Sequence, residues 1–252
     1  SLIIARFVGA GASIIYLTRY NHTLHFRIKN ALKLNVGILK KIMFIGLPFA
    51  AEQLFFNGGK LITQTFIVQF GTVALTVNAI SNSLSMLLQI GGSTLSIAIV
   101  TIVGQSIGRR DIQDARKFIK SILWLSAILL IVFSAILLPL FPLLMRMYAA
   151  PAEIVSSIFT LVLLLAIAQP ILWTLSFIIP SALRAAGDST FTSVASLLSM
   201  WLFRVVLGYI LGVTLGFGLI GVWIAMVAEW GVRSIIFVWR LKGDKWYKHK
   251  LV

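Results

Sequence analysis

Seven apolar runs divide the chain, at about 2–18, 42–69, 73–103, 118–144, 153–182, 190–212 and 217–239. Each reaches, or nearly reaches, the roughly 20 residues an α-helix needs to cross a hydrocarbon core of about 30 Å. None alternates apolar with polar positions, so the pattern predicts helices and not barrel strands. The longest connection, about 19–41, joins the first run to the other six, which follow one another through short loops. In that connection Leu24, Ile28, Leu32 and Leu39 recur at roughly helical spacing among Arg27, Lys29 and Lys33. It reads equally as an interfacial helix on anionic lipid and as a solvated basic connector. The expected fold is all-α and membrane-embedded: one helix (1–18), a linker (19–41), a six-helix bundle (42–240) and a basic tail (241–252).

The second run departs from a plain apolar span. In GLPFAAEQLFFNGGKLITQ, the residues Gln53, Asn57, Lys60 and Gln64 fall within roughly 60° of one another at about 100° per residue. They form a polar stripe, with Glu52 on its flank and Leu54, Phe55, Leu61 and Ile62 opposite. A single amide in a span is usually helix–helix glue, and a lysine can snorkel to the interface. A stripe of four predicts a face on a cavity, because polar groups at such depth cost several kcal/mol when they meet lipid. Elsewhere in the spans, Glu229 and Arg233 stand four apart, the spacing of an intrahelical ion pair. Arg204 lies deep in its own run, where Glu52 or a backbone carbonyl could serve as its partner. Gly91 and Gly92, mid-way along a long helix, permit either a flexing point or close helix packing. Pro139, Pro142 and Pro151 predict an external connection, kept wet by Arg146 and Glu153.

Composition agrees with a membrane protein: 59% hydrophobic, 12% charged, mean hydropathy +0.99. The net charge of +15 would suit nucleic acid, but its placement points elsewhere. Seventeen of the 22 Lys and Arg fall in, or at the edge of, the 19–41 linker, the third connection, the fifth connection and the tail. Those four segments lie on one side if seven spans alternate, and the positive-inside rule makes that side the cytoplasm. No nucleic-acid partner is expected; the surroundings are membrane lipid. With no Cys, no disulfide or thiolate site is possible. The three His (His22, His25, His249) sit in basic segments outside the spans. No paired carboxylates, His–Glu cluster or nucleotide-binding loop occurs, so no enzyme and no metal site is expected. The chain begins at Ser1 directly in apolar sequence, which predicts a segment of something larger and not a signal peptide.

Several stretches together resemble the multidrug and toxic compound extrusion (MATE) family. They are Gly46-Leu-Pro48 followed by Glu52; Gly71-Thr72-Val-Ala-Leu with Asn78; Gly104-Gln105-x-x-Gly108 with basic residues after it; Leu183-Arg184-Ala-Ala-Gly187-Asp188; WLFRVVLGY; and GLIGVWIAM. The resemblance covers nearly the whole chain, as the last helix of an N-terminal lobe, the interlobe linker and a C-terminal six-helix lobe. It implies a twelve-helix transporter of the prokaryotic cytoplasmic membrane, C-terminus inside. Such a protein exports small amphipathic, often cationic compounds by alternating access, driven by H⁺ or Na⁺ entry and without a bound cofactor. A lipid-linked glycan flippase of the same superfamily is the alternative it allows, and a membrane enzyme is more remote. Its sodium-coupled members carry a carboxylate on the fourth C-lobe helix; here no acid stands between Glu153 and Asp188, only Gln169. Glu52, Gln53, Asn57, Lys60 and Gln64 would line the transport cavity. Pro48, Gly104, Gln105, Gly108, Arg184, Gly187 and Asp188 would be structural, with the glycines permitting tight reversals and Asp188 capping the next helix.

Overall fold

The computed structural model describes residues 6–12, 16 and 36–247. Residues 6–12 of the first run are helical, while most of the 19–41 linker lies outside the described residues. Six long helices follow: α1 (Val36–Gln69), α2 (Gly71–Gly108), α3 (Ile112–Met147), α4 (Ala152–Ala185), α5 (Ser189–Thr214) and α6 (Gly218–Lys242). Helices α2 to α6 are each long and apolar enough to cross a membrane. Among the described residues there is no strand. The chain divides into two units, 1–51 and 52–252. Residues 36–41, expected in the linker, already belong to α1.

The second unit packs around two apolar centres. Toward one end, Val77, Leu84 and Leu88 of α2 meet Leu130 of α3, Ile158, Leu161 and Leu165 of α4, and Trp223 and Trp230 of α6. Toward the basic end, Ile99 and Val103 meet Ile119, Ile178, Ala182, Leu183 and Phe237. The outward faces stay apolar and uncovered, with Ile97, Trp124, Ile167, Leu202, Ile235 and Trp239 all exposed. Such a surface is stable against hydrocarbon and costly against water. Gly92 explains how α2 and α4 come so close: a Cβ there would stand 2.4 Å from Trp173 Cζ3. The helix runs unbroken through Gly91 and Gly92, so the pair serves close packing.

Several expected turns are displaced. Pro139 and Pro142 lie inside α3, which continues to Met147, and only Pro151 stands in the connection. Near a helix end in lipid, neighbouring turns absorb the lost backbone bond, so proline does not end the helix. Gly104 and Gly108 are likewise helical. The reversal after them uses Arg110 in the left-handed region (φ 61°), and Asp111 caps α3 by accepting from Asp114 N–H at 2.9 Å. At the next turn of the basic end, Gly187 does take the left-handed conformation (φ 94°). Asp188 sits at the N-cap position of α5 without a side-chain capping bond. Its carboxylate instead receives Arg240 of α6 through two contacts, 2.7 and 3.1 Å. A free carboxylate would cap, but a guanidinium fork held opposite it competes better. Arg184 donates to Thr192 Oγ1 at 3.1 Å across the same turn.

Beyond α6 the tail is packed and not merely solvated. Trp246, in the short helical turn Lys245–Tyr247, is fully buried against the basic-end centre. Arg116 of α3 holds the tail through Asp244 at 3.0 Å and the Gly243 carbonyl at 3.3 Å.

Candidate functional site

The seam of α1 that packs on the bundle is Gly59, Thr63 and Ile67, one residue per turn. Gly59 lets the helix approach Met200 and Val205 of α5, since an added Cβ would stand 3.0 Å from Met200 Cε. Thr63 turns its hydroxyl back to the Gly59 carbonyl at 2.9 Å, leaving a methyl face for packing. The polar stripe runs beside this seam. Gln53, Asn57, Lys60 and Gln64 are all exposed. Lys60 and Gln64 line a half-open cavity of about 280 Å³, whereas Gln53 and Asn57 do not. The stripe drifts off the seam because its residues follow a face about 100° away from Gly59–Thr63–Ile67. Glu52 and Pro48 fall within α1, and their side chains lie outside the described ones.

A line of amides crosses the cavity floor. Trp223 Nε1 donates to Asn78 Oδ1 at 3.1 Å, and Asn82 Nδ2 reaches the same oxygen at 3.1 Å. Asn78 Nδ2 in turn donates to Gln64 Oε1 at 3.4 Å. Indole N–H can only donate, so Trp223 fixes which way Asn78 points, and Asn78 then fixes Gln64. Each of these two amide oxygens thereby accepts from a neighbour, and no hydrogen bond of the Gln64 NH₂ is formed within this line. Asn78 and Trp223 stood in the sequence only as members of family motifs, and Asn82 was not singled out.

Behind the floor stands a buried charge cluster. Glu229 is fully buried and receives Arg233 Nη1 at 3.2 Å on one oxygen. On its other oxygen it is met by Arg204 Nε at 2.6 Å. The Arg204 contact is an ion pair whose angles fall outside those of a good hydrogen bond. Arg233 also donates to the Ser176 carbonyl at 3.2 Å and lies over the Phe177 ring at 4.8 Å. The expected self-neutralising pair is therefore a three-residue cluster with a net charge of +1. Arg204, whose partner the sequence left open, is paired with Glu229. The chain itself held a signal for this. Arg204 and Glu229 lie some ten residues either side of the α5–α6 connection, so an antiparallel hairpin sets them at similar depth.

Two irregularities adjoin the cluster. Pro170 lies in a π-helical turn (Gln169–Trp173) of α4, where its missing N–H and its ring displace the normal ladder. Arg204 lies in a second π-helical stretch (Met200–Leu207) of α5. Gln169, at the first of these, is fully buried and donates to Ser85 Oγ at 3.0 Å. Its own oxygen has no hydrogen-bond partner among the described residues. Among the described residues no three His, Cys, Asp or Glu side chains gather as a metal site would require.

An all-helical unit with an apolar exterior, polar residues buried at membrane depth and a half-open polar cavity on one face has the form of a membrane transport protein. Comparison with known proteins makes the assignment specific. The chain belongs to the MatE family, whose model matches residues 48–210. It is 30% identical to an uncharacterized transporter, YisQ, of Bacillus subtilis, over 98% of this chain and 54% of that protein. It is 25% identical to a probable multidrug resistance protein, NorM, of Thermotoga maritima, over 99% of this chain and 53% of that one. Among solved structures, a MATE protein in the straight conformation superposes with TM-score 0.77 at 17% identity, covering 93% of this chain and 54% of its own. The MATE transporter ClbM gives 0.74 at 16%, covering 85% and 50%. The chain thus spans about half the length of the relatives it matches, and the solved structures share its helical fold.

Proposed function

We propose that this chain is the C-terminal six-helix lobe, with the preceding linker and helix, of a secondary transporter that exports amphipathic compounds by alternating access. The observation that carries this reading is the half-open cavity walled by Lys60, Gln64, Asn78 and Arg204 on the face of a MatE bundle. A site of that form, completed by a second lobe, would be exposed to one side of the membrane at a time as the lobes rock. Relatives named as multidrug resistance proteins support the substrate class. The driving ion is H⁺ or Na⁺, and Glu52, two turns before Lys60, is our candidate for handling the proton or the substrate.

The test is transport by the full-length protein in proteoliposomes, with a pH or a sodium gradient imposed alone. Uptake of a fluorescent amphiphile under one gradient, with a pH dependence that Glu52→Gln removes, is the expected result. No uptake under either gradient, with no discharge of the gradient when substrate is added, would overturn the reading.

A further inference from the structure

We propose that the cavity between α1, α2, α5 and α6 is a receptor for an anionic group, so that the compounds this lobe takes are amphiphiles bearing a carboxylate, sulfonate or phosphate. The word substrate here rests on the transport reading above, but the binding claim stands on the cavity alone.

Among the described residues the wall carries Lys60 and Arg204 and no carboxylate. The nearest acid on the described wall side, Glu229, lies behind it, fully buried and already shared by two arginines. The cluster keeps one positive charge in excess, and Lys60 adds a second. Arg204 is paired with Glu229 through Nε only, and Lys60 is less committed still. Among the described residues, Lys60 makes no hydrogen bond or ion pair, only a contact with the Phe56 ring at 4.9 Å. The two terminal nitrogens of Arg204 make no hydrogen bond among them either, its one ion-pair contact being through Nε. A guanidinium fork and a mobile ammonium on one wall are the donors that bind oxyanions.

The amides reinforce the sign. Trp223 can only donate, so Asn78 must turn its oxygen to the indole and its NH₂ to Gln64 Oε1. That chain hides the Asn78 and Gln64 oxygens and presents the Gln64 NH₂. Two of the amide oxygens on the wall, those of Asn78 and Gln64, are thus engaged, while the Gln64 NH₂ is presented as a donor. Met86, Met226 and the Trp223 ring complete the wall. They offer a polarisable apolar surface for the rest of the ligand. The volume, about 280 Å³, fits one ring system with a charged arm.

The experiment uses the full-length protein in nanodiscs and two probes with one fluorophore: dansylglycine, an anion, and dansylethylenediamine, a cation. Equilibrium binding is read by fluorescence anisotropy, so the result does not depend on transport occurring. The expected result is a preference for dansylglycine of roughly tenfold, the scale of one charge-assisted contact. Lys60→Met should abolish that preference and Lys60→Arg should keep it. Lys60 is exposed and outside the buried cluster, so neither change threatens folding. Equal or tighter binding of the cation, or a preference unchanged in Lys60→Met, would overturn the proposal. A lipid headgroup and a free anion share this chemistry. Phosphatidylglycerol in the discs that competes with dansylglycine in the wild type but not in Lys60→Met identifies the lipid as occupant, while absence of competition identifies a soluble anion. Binding with the expected preference but without gradient-driven uptake would retain this inference and remove the transport reading.

Discussion

Replacing Glu229 by Gln should be among the most destabilising single changes in this chain. The carboxylate is fully buried, and each oxygen serves one arginine, Arg204 at 2.6 Å and Arg233 at 3.2 Å. Glutamine keeps the shape but offers one acceptor and turns an NH₂ toward the other guanidinium. Two largely buried cations are then left without a counter-charge. Removing one partner of a buried ion pair costs about 3–5 kcal/mol. For a domain of this size that corresponds to a fall in melting temperature of roughly 6–20 °C. Arg204→Met, by contrast, leaves Glu229 with Arg233 as its counter-charge, so no buried charge is orphaned and the loss should be smaller than for Glu229→Gln. Adding Arg204→Met to Glu229→Gln removes one orphaned charge and should recover part of the loss. The assay is thermal unfolding of the full-length protein in detergent, followed by tryptophan fluorescence, to which Trp230 beside the cluster contributes. Glu229→Gln melting with the wild type, or Arg204→Met proving the more damaging of the two, would refute the cluster's proposed balance.

Three further outcomes follow from the packing. Asp188→Asn replaces the carboxylate that Arg240 grips at 2.7 and 3.1 Å, and should lower unfolding free energy by about 2–4 kcal/mol, measured by denaturant titration. Gly92→Ala places a Cβ 2.4 Å from Trp173 and should cost about 1–3 kcal/mol as overpacking; a melting temperature equal to wild type would show that α2 and α4 can separate freely there. Trp246→Ala removes a fully buried side chain and should cost about 3–5 kcal/mol locally, seen as faster tryptic cleavage after Lys242 and Lys245.

The six long helices were readable because each hydrocarbon-length run is apolar by necessity and the basic residues fall on alternate connections. Their ends were less readable. Helices α2 and α3 extend into charged sequence at Gly108 and Ile112, where long basic side chains can reach water from a helical backbone. Pro139 and Pro142 misled because proline marks a helix end in water more reliably than in lipid. The stripe on α1 was visible from spacing, yet spacing could not say which of its members meets the cavity. That depended on Gly59, a residue with no side chain, setting the seam. Arg204 was visible as a charge out of place, but its partner lies on the next helix, and only their similar distance from the α5–α6 connection points to it. The line Trp223–Asn78–Gln64 is of the same kind, three residues on three helices joined only by tertiary packing.

If the transport reading is right, the face of α1 bearing Lys60 and Gln64 looks into the substrate path while Leu61 looks into lipid. The chain contains no Cys, so a single introduced thiol is the only one within it. Labelling of Lys60→Cys, Gln64→Cys and Leu61→Cys with a water-soluble, membrane-impermeant maleimide in the full-length protein tests this directly. The thiols at 60 and 64 should label, bound amphiphile should protect both, and the thiol at 61 should stay unreactive. Silence at 60 and 64, or labelling at 61 to the same extent, would contradict that reading.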